Sequence, residues 1–184
     1  RYIQARDARF TGAPWQGPGF SRREGGMDEA MLRLVRHAHT LFIASAHPDA
    51  VQADAAPSRG VDVSHRGGPE GFVQVQGSGR DASLLMPDFD GNGFFNTLGN
   101  LALNPRAGLL FIDFERGDLL QLAVRTELAW QGPEVAAFAG AQRVLRMHVQ
   151  EVRHAPGALP LAFGPEQHSP HLAGLGPWPG ASPH

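Results

Sequence analysis

Leu119-Leu120-Gln121-Leu122-Ala123-Val124-Arg125-Thr126-Glu127-Leu128-Ala129-Trp130 is the stretch on which the fold turns. Leu120, Leu122, Val124, Leu128 and Trp130 fall on one face, and Gln121, Ala123, Arg125 and Glu127 on the other. That period of two is the signature of a half-buried strand. Residues 144–152 repeat it, with Leu145, Met147 and Val149 opposite Arg146, His148 and Gln150. Working outward, shorter strands are expected at Leu41-Phe42-Ile43-Ala44, at Val61-Asp62-Val63 and at Gly71-Phe72-Val73-Gln74-Val75. Another, Ser83-Leu84-Leu85-Met86, is expected to stop at Pro87. The unbroken apolar run Leu109 to Ile112 suits a strand buried on both faces.

Between these lie two helical patterns. Asp28 is a natural N-cap for a helix whose apolar face is Met31, Leu34, Val35 and Ala38. Residues 92–104 carry Phe94, Phe95, Leu98, Leu101 and Ala102 on one stripe, and Pro133 opens a further short helix over Glu134 to Ala139. Six or seven short strands interrupted by two helices predict a mainly β fold, a β-barrel with flanking helices. The βαβ alternation of a dinucleotide-binding domain is missing. Residues 1–27 read as an irregular arm, 28–153 as the barrel domain, and 154–184 as a Pro/Gly/His-rich tail without assignable regular structure. Arg22-Arg23 is followed by no apolar segment, so a linker is expected there and not an export signal.

Composition narrows the chemistry. The chain has 184 residues, 42% of them hydrophobic, and a net charge of −2, which is one domain's worth of chain with a core that needs no staples. No apolar run reaches the ~18–20 residues of a membrane span, and the near-neutral charge disfavours nucleic-acid binding by phosphate neutralisation. Cysteine is absent, which removes disulfides, thiolate metal sites and a Cys nucleophile. All sixteen basic residues are arginine. Schiff-base chemistry, a lysine general base and a P-loop lysine are therefore excluded.

Pro87-Asp88-Phe89-Asp90-Gly91-Asn92-Gly93 is the densest polar motif. It opens like a calcium loop but has Gly99 where the twelfth-position glutamate belongs, and a strand precedes it instead of a helix. A strand-to-helix turn fits better, with Asn92 as N-cap and the free N–H groups of the first turn as an anion site. Asn92, Asn96, Asn100 and Asn104 recur every four residues. That stripe either faces a ligand or bonds the helix to a neighbouring strand. The histidines offer no zinc-like spacing: His37 and His39 read as helix-end cations, and His154, His168, His171 and His184 lie in the tail, so no metal site is expected. His65 stands apart, beside Arg66 and the glycine-rich Gly67-Gly68 turn, where backbone can approach a ligand closely.

Taken in order, these segments resemble a known family. Ser64-His65-Arg66-Gly67-Gly68-Pro69-Glu70-Gly71-Phe72-Val73, then Met86-Pro87-Asp88-Phe89-Asp90-Gly91-Asn92, the helix through Leu98-Gly99-Asn100-Leu101, and Asn104-Pro105-Arg106-Ala107-Gly108-Leu109-Leu110-Phe111-Ile112-Asp113 look like the pyridoxamine 5′-phosphate oxidase-like FMN-binding proteins, and more closely their bacterial branch. The likeness covers residues 28–153. It implies an FMN-binding split barrel, a cytoplasmic homodimer with FMN in clefts at the subunit interface, and oxidoreductase activity on a small molecule. His65 and Arg66 would lie beside the flavin, with Arg66 the phosphate partner. Backbone of Met86, Pro87 and Asp88 would line the isoalloxazine edge. Asn92, Asn96, Thr97 and Asn100 would serve the phosphate and ribityl chain, and Gln121 would reach the ring from the same or the partner subunit. Two departures separate the chain from vitamin B6 oxidases. The Ser-Arg-Lys that precedes the helix in those enzymes has no lysine here, with Asn96-Thr97 or Gly91-Asn92 in its place. Their C-terminal arginine signature has no counterpart after Val152. The rival expectation is a non-catalytic module holding flavin or haem on the same barrel.

Overall fold

The alternating segments form a single curled antiparallel sheet. The computed structural model describes residues 3–12, 19–24, 26–52, 54, 56, 58–77, 81–90 and 95–175. In chain order the elements are β1 (Ala8–Phe10), β2 (Ser21–Glu24), α1 (Glu29–Arg36), β3 (Thr40–Ala46), β4 (Val61–Gly67), β5 (Gln74–Gln76), β6 (Ser83–Phe89), α2 (Asn96–Leu103), β7 (Arg106–Ile112), β8 (Leu119–Ala129), α3 (Pro133–Ala137), β9 (Ala141–Ala155) and β10 (Leu161–Phe163). The main sheet runs β4-β3-β7-β8-β9-β6-β5, and β2 adds to β9. The longest strand, β9, pairs β8 along its length, β6 over its first half and β2 over its second.

Burial follows the predicted period through Val124, but Leu128 is only half-buried and Trp130, expected on the same face, lies past the end of β8 and is exposed. Leu120, Leu122 and Val124 of β8 are buried against Leu41 and Ile43 of β3, Leu109 and Phe111 of β7, and Val144, Leu145 and Met147 of β9. Asp28 caps α1, its carboxylate accepting the Met31 N–H at 3.1 Å, and Met31, Leu32 and Val35 enter the core while Leu34 and Ala38 pack at its margin.

Several expectations are revised. Pro87 does not end β6, which continues to Phe89. Beyond Leu85 no described strand pairs that side of β6, and an unpaired edge tolerates a residue without an N–H. The run Leu109–Ile112 is buried on one face only; Leu110 is half-exposed on the other. Phe72 and Val73 are buried but precede the short β5. Helix α2 starts at Asn96 with Phe95 at the N-cap position and no side-chain cap bond; Asn92 lies outside the described residues.

The segments read as an irregular arm and tail contain strands: β1 pairs β10, and Ala5 and Gln167 form a further bridge. These pairings, and that of β2 with the end of β9, join residues more than 120 apart, so no local pattern announces them.

The glycine-rich turn after β4 has a packing cause. A Cβ on Gly68 would meet the Phe72 ring and Cβ at 2.4–2.5 Å, and Phe72 is itself 1% exposed. The Gly68 N–H donates to His39 O at 3.1 Å, and its carbonyl accepts from Gln4 Nε2 at 3.0 Å. Gly68→Ala should therefore destabilise the fold by about 1–3 kcal/mol through overpacking, read as a lower denaturant midpoint with an unchanged m-value.

Candidate functional site

Six of the ten predicted site residues, His65, Arg66, Met86, Pro87, Asp88 and Gln121, lie on strands, while Asn96, Thr97 and Asn100 lie on α2. On β4, Asp62, Ser64 and Arg66 point toward the barrel interior and α2, whereas Val61, Val63 and His65 point outward. The inward set is tied down by polar contacts. Thr97 of α2 is buried and donates to Asp62 Oδ2 at 2.5 Å, with Ser64 Oγ at 2.6 Å. Asn100, also buried, donates to Ser45 Oγ and to Gly60 O at 3.3 Å each, and Asn104 donates to Ala46 O at 3.1 Å. The asparagine stripe thus divides: Asn100 and Asn104 bond the helix to β3 and the end of the β3–β4 loop, while Asn96 is exposed at the helix start.

The charged centre of this face is Asp88, on a strand where every residue is buried. Arg66 Nη1 donates to Asp88 Oδ1 at 2.8 Å. Arg143, the direct cross-strand partner of Asp88 on β9, brings Nη1 to 3.4 Å from Oδ2. Burial pushes the Asp88 carboxyl above the ordinary carboxylate range, and the two guanidinium groups pull against it. Both arginines keep N–H groups in reserve: among the described residues, Arg66 Nε and Arg143 Nε are buried without a hydrogen-bond partner, and Arg143 Nη1 has only its 3.4 Å approach to Asp88. The Arg143 guanidinium lies between two exposed aromatics, 5.1 Å from the Phe95 ring centre and 5.2 Å from that of Trp130. Two cations around one buried carboxylate, with donors unspent, form an anion-accepting cluster.

The outward set forms a row. The register pairs His65 with Phe42, Phe42 with Leu110, and Leu110 with Gln121. His65 stacks on Phe42 with ring centres 4.4 Å apart and an interplanar angle of 14°, and its Nε2 contacts Thr40 Oγ1. Beside the row runs a shallow apolar groove of about 450 Å³, floored by Ala44, Gly108 and Ala123 and flanked by Gln121. Because His65 and Arg66 are consecutive, a ligand touching both must cross the edge of β4. Among the described residues no further strand pairs that edge, since β4 ends the strand order.

The structure brings Arg66 and Asp88 into contact, seats Thr97 and Asn100 beside β4, and aligns His65 with Gln121 on the opposite face. Met86 and Pro87 are buried along β6, on the segment past its pairing with β5. Sequence reasoning missed Arg143. Its tie to Asp88 exists only through the β6–β9 register, and nothing local marks it.

Comparison with known proteins fits this architecture. No family model matches the sequence, and no curated protein matches it. Solved structures do. The chain superimposes on a variant of HupZ from Group A Streptococcus with a TM-score of 0.52 at 12% identity, over 70% of this chain and 98% of that one. A candidate pyridoxamine 5′-phosphate oxidase from Lactobacillus delbrueckii gives a TM-score of 0.51 at 13% identity, covering 69% and 93%. The chain has the pyridoxamine 5′-phosphate oxidase-like split-barrel fold. Among the described residues, no helix is long and apolar enough to cross a membrane.

Burial, reinforced by the positive charge of Arg6, lowers the His65 pKa below its ordinary 6.5. The folded chain therefore holds the His65 proton less tightly than the unfolded chain does. The resulting stabilisation is complete above the unfolded value and is lost as pH falls through the lower, folded one. Unfolding free energy should decline with acidification below about pH 6.5, and His65→Gln should flatten that part of the profile in denaturant titrations.

Proposed function

We propose that this protein binds FMN at the open edge of β4 and works as an FMN-dependent oxidoreductase on a small molecule. The observation that carries the reading is the Arg66–Asp88–Arg143 cluster, in a split-barrel fold, with buried guanidinium N–H groups lacking partners. These residues suit the phosphate end of a flavin nucleotide: arginine offers bidentate donors to phosphate, and a net positive cluster remains after Asp88 is counted. Arg66, with a quarter of its side chain exposed, would hold the phosphate, and Arg143 would support it. Asn96, Thr97 and Asn100 would flank the ribityl chain, and His65 and Gln121 would meet the ring from the outer face, in the same or the partner subunit. Bound flavin supplies the redox chemistry, so the chain need only position it, orient the substrate and limit water.

A homodimer completes this reading. The outer sheet face exposes Val61 and Val63 by 70% and 65%, and the groove over Ala44, Gly108 and Ala123 continues that apolar surface. Small residues allow close approach of a second copy, and a two-fold contact there would cover Leu110 and Phe42 and bring the His65–Gln121 row to the interface.

Purified protein should be yellow and release FMN on denaturation; a colourless preparation that takes up no added flavin would sink the proposal. Arg66→Ala, verified as folded by circular dichroism, should weaken FMN binding roughly ten- to a hundred-fold, the equivalent of a charged hydrogen bond worth about 1.5–3 kcal/mol. Oxidation of NAD(P)H with an electron acceptor separates an enzyme from a flavin carrier. For the dimer, light scattering after gel filtration should report twice the chain mass, and Ala123→Arg should shift it to the monomer.

A further inference from the structure

A second polar cluster lies at the opposite end of β3 from the β3–β4 loop, where three distant parts of the chain meet. Arg6 comes from the N-terminal segment, His37 and His39 from the turn after α1, and Glu166 and His168 from the segment after β10. The Ala5–Gln167 bridge fixes their arrangement: Ala5 N–H donates to Gln167 O at 3.1 Å, and Gln167 N–H to Ala5 O at 2.9 Å. Glu166 and His168 flank the bridged residue in extended chain, so they project to the same side, toward His39.

We infer that His39, Glu166 and His168 form a binding site for a zinc-class divalent cation, with an open coordination position facing the adjoining cavity. The proposal is independent of flavin binding. His39 Nδ1 lies 2.7 Å from Glu166 Oε1, His168 Nδ1 lies 3.6 Å from the same oxygen, and the donor atoms of the three residues all fall within 4.8 Å of one another. Donors at ~2.1 Å from a tetrahedral ion stand about 3.4 Å apart, so the observed spacings bracket what the ion needs and side-chain adjustment alone closes the difference. Two imidazoles with one carboxylate select a borderline ion such as Zn²⁺ over calcium or magnesium, which take oxygen ligands.

The surroundings hold the ligands in place. Arg6 Nη2 donates to Glu166 Oε2 at 2.6 Å while His39 Nδ1 lies 2.7 Å from Oε1 and 2.8 Å from Oε2, so the carboxylate is held between them, and the Phe114 ring lies 4.1 Å from the Arg6 guanidinium. His39 Nε2 faces Glu70 Oε2 at 3.8 Å. Glu166 and His39 also line a cavity of about 610 Å³ with Arg33, Asp113, Arg116 and His154, so three protein ligands leave the fourth position open to water or a small anion. The ion would fasten the C-terminal segment to the barrel.

The test is calorimetric titration of chelator-treated, dialysed full-length chain with Zn²⁺ alone, paired with thermal melts. One saturating site per chain and a raised Tm are expected. His168→Ala removes an exposed side chain and so leaves the fold intact; it should lower affinity at least ten-fold. Glu166→Gln should lower it at least as much, and His171→Ala, in the same segment, should leave it unchanged. Absence of saturable uptake, or equal affinity in the wild type, His168→Ala and Glu166→Gln, would overturn the site and leave Glu166 as an ion-pair hub for Arg6.

Discussion

A carboxylate buried between two arginines holds this barrel closed. Asp88 sits on β6 and Arg66 on β4, with four strands between them in the sheet order, yet their side chains hydrogen-bond at 2.8 Å. That contact is possible only if the sheet curls until its first strand faces β6. The cross-strand partner Arg143 completes the charge balance. A buried carboxylate with one partner removed would be left uncompensated at a cost of several kcal/mol, so the register of β6 on β9 and the closure of β4 toward β6 stabilise one another.

From that closure follows the distribution of polar groups. The interior of β4 and the end of β3 meet α2, which is why Asp62, Ser64 and Ser45 are matched by Thr97 and Asn100 and not by apolar side chains. Among the described residues no helix covers the outer face. It carries small and apolar residues over β3, β7 and β8, a composition suited to contact with another sheet. The edge of β4 separates the two environments, and the candidate cofactor residues lie on both sides of it.

Much of the architecture was legible along the chain because its signals are local. The alternation of Leu120, Leu122 and Val124, the Asp28 cap and the α1 stripe depend on neighbours within one or two turns or strand repeats. Of the candidate site, Arg66, Asp88 and Thr97 were legible as residue types at motif positions; Arg143 was not. Its role depends on facing Asp88 across a register that links residues 55 apart. Pro87 misled because its meaning depends on whether a strand lies beside it. The Leu109–Ile112 run misled because an apolar residue does not say what covers it. The histidines at 39 and 168 looked unrelated for the same reason, their proximity resting on a two-residue bridge between the chain's ends.

By itself, then, the sequence determined that this is a mainly β chain with helices between its strands, without lysine or cysteine, its basic residues all arginine. Those properties are carried by composition and by periods of two and 3.6. The tertiary structure alone decided which arginines converge, which asparagines are structural, that His65 and Arg66 look in opposite directions, and that Arg6, His39 and Glu166 share one pocket. Each depends on strand order and register, which are set by the packing of the whole sheet and by closure of its seam.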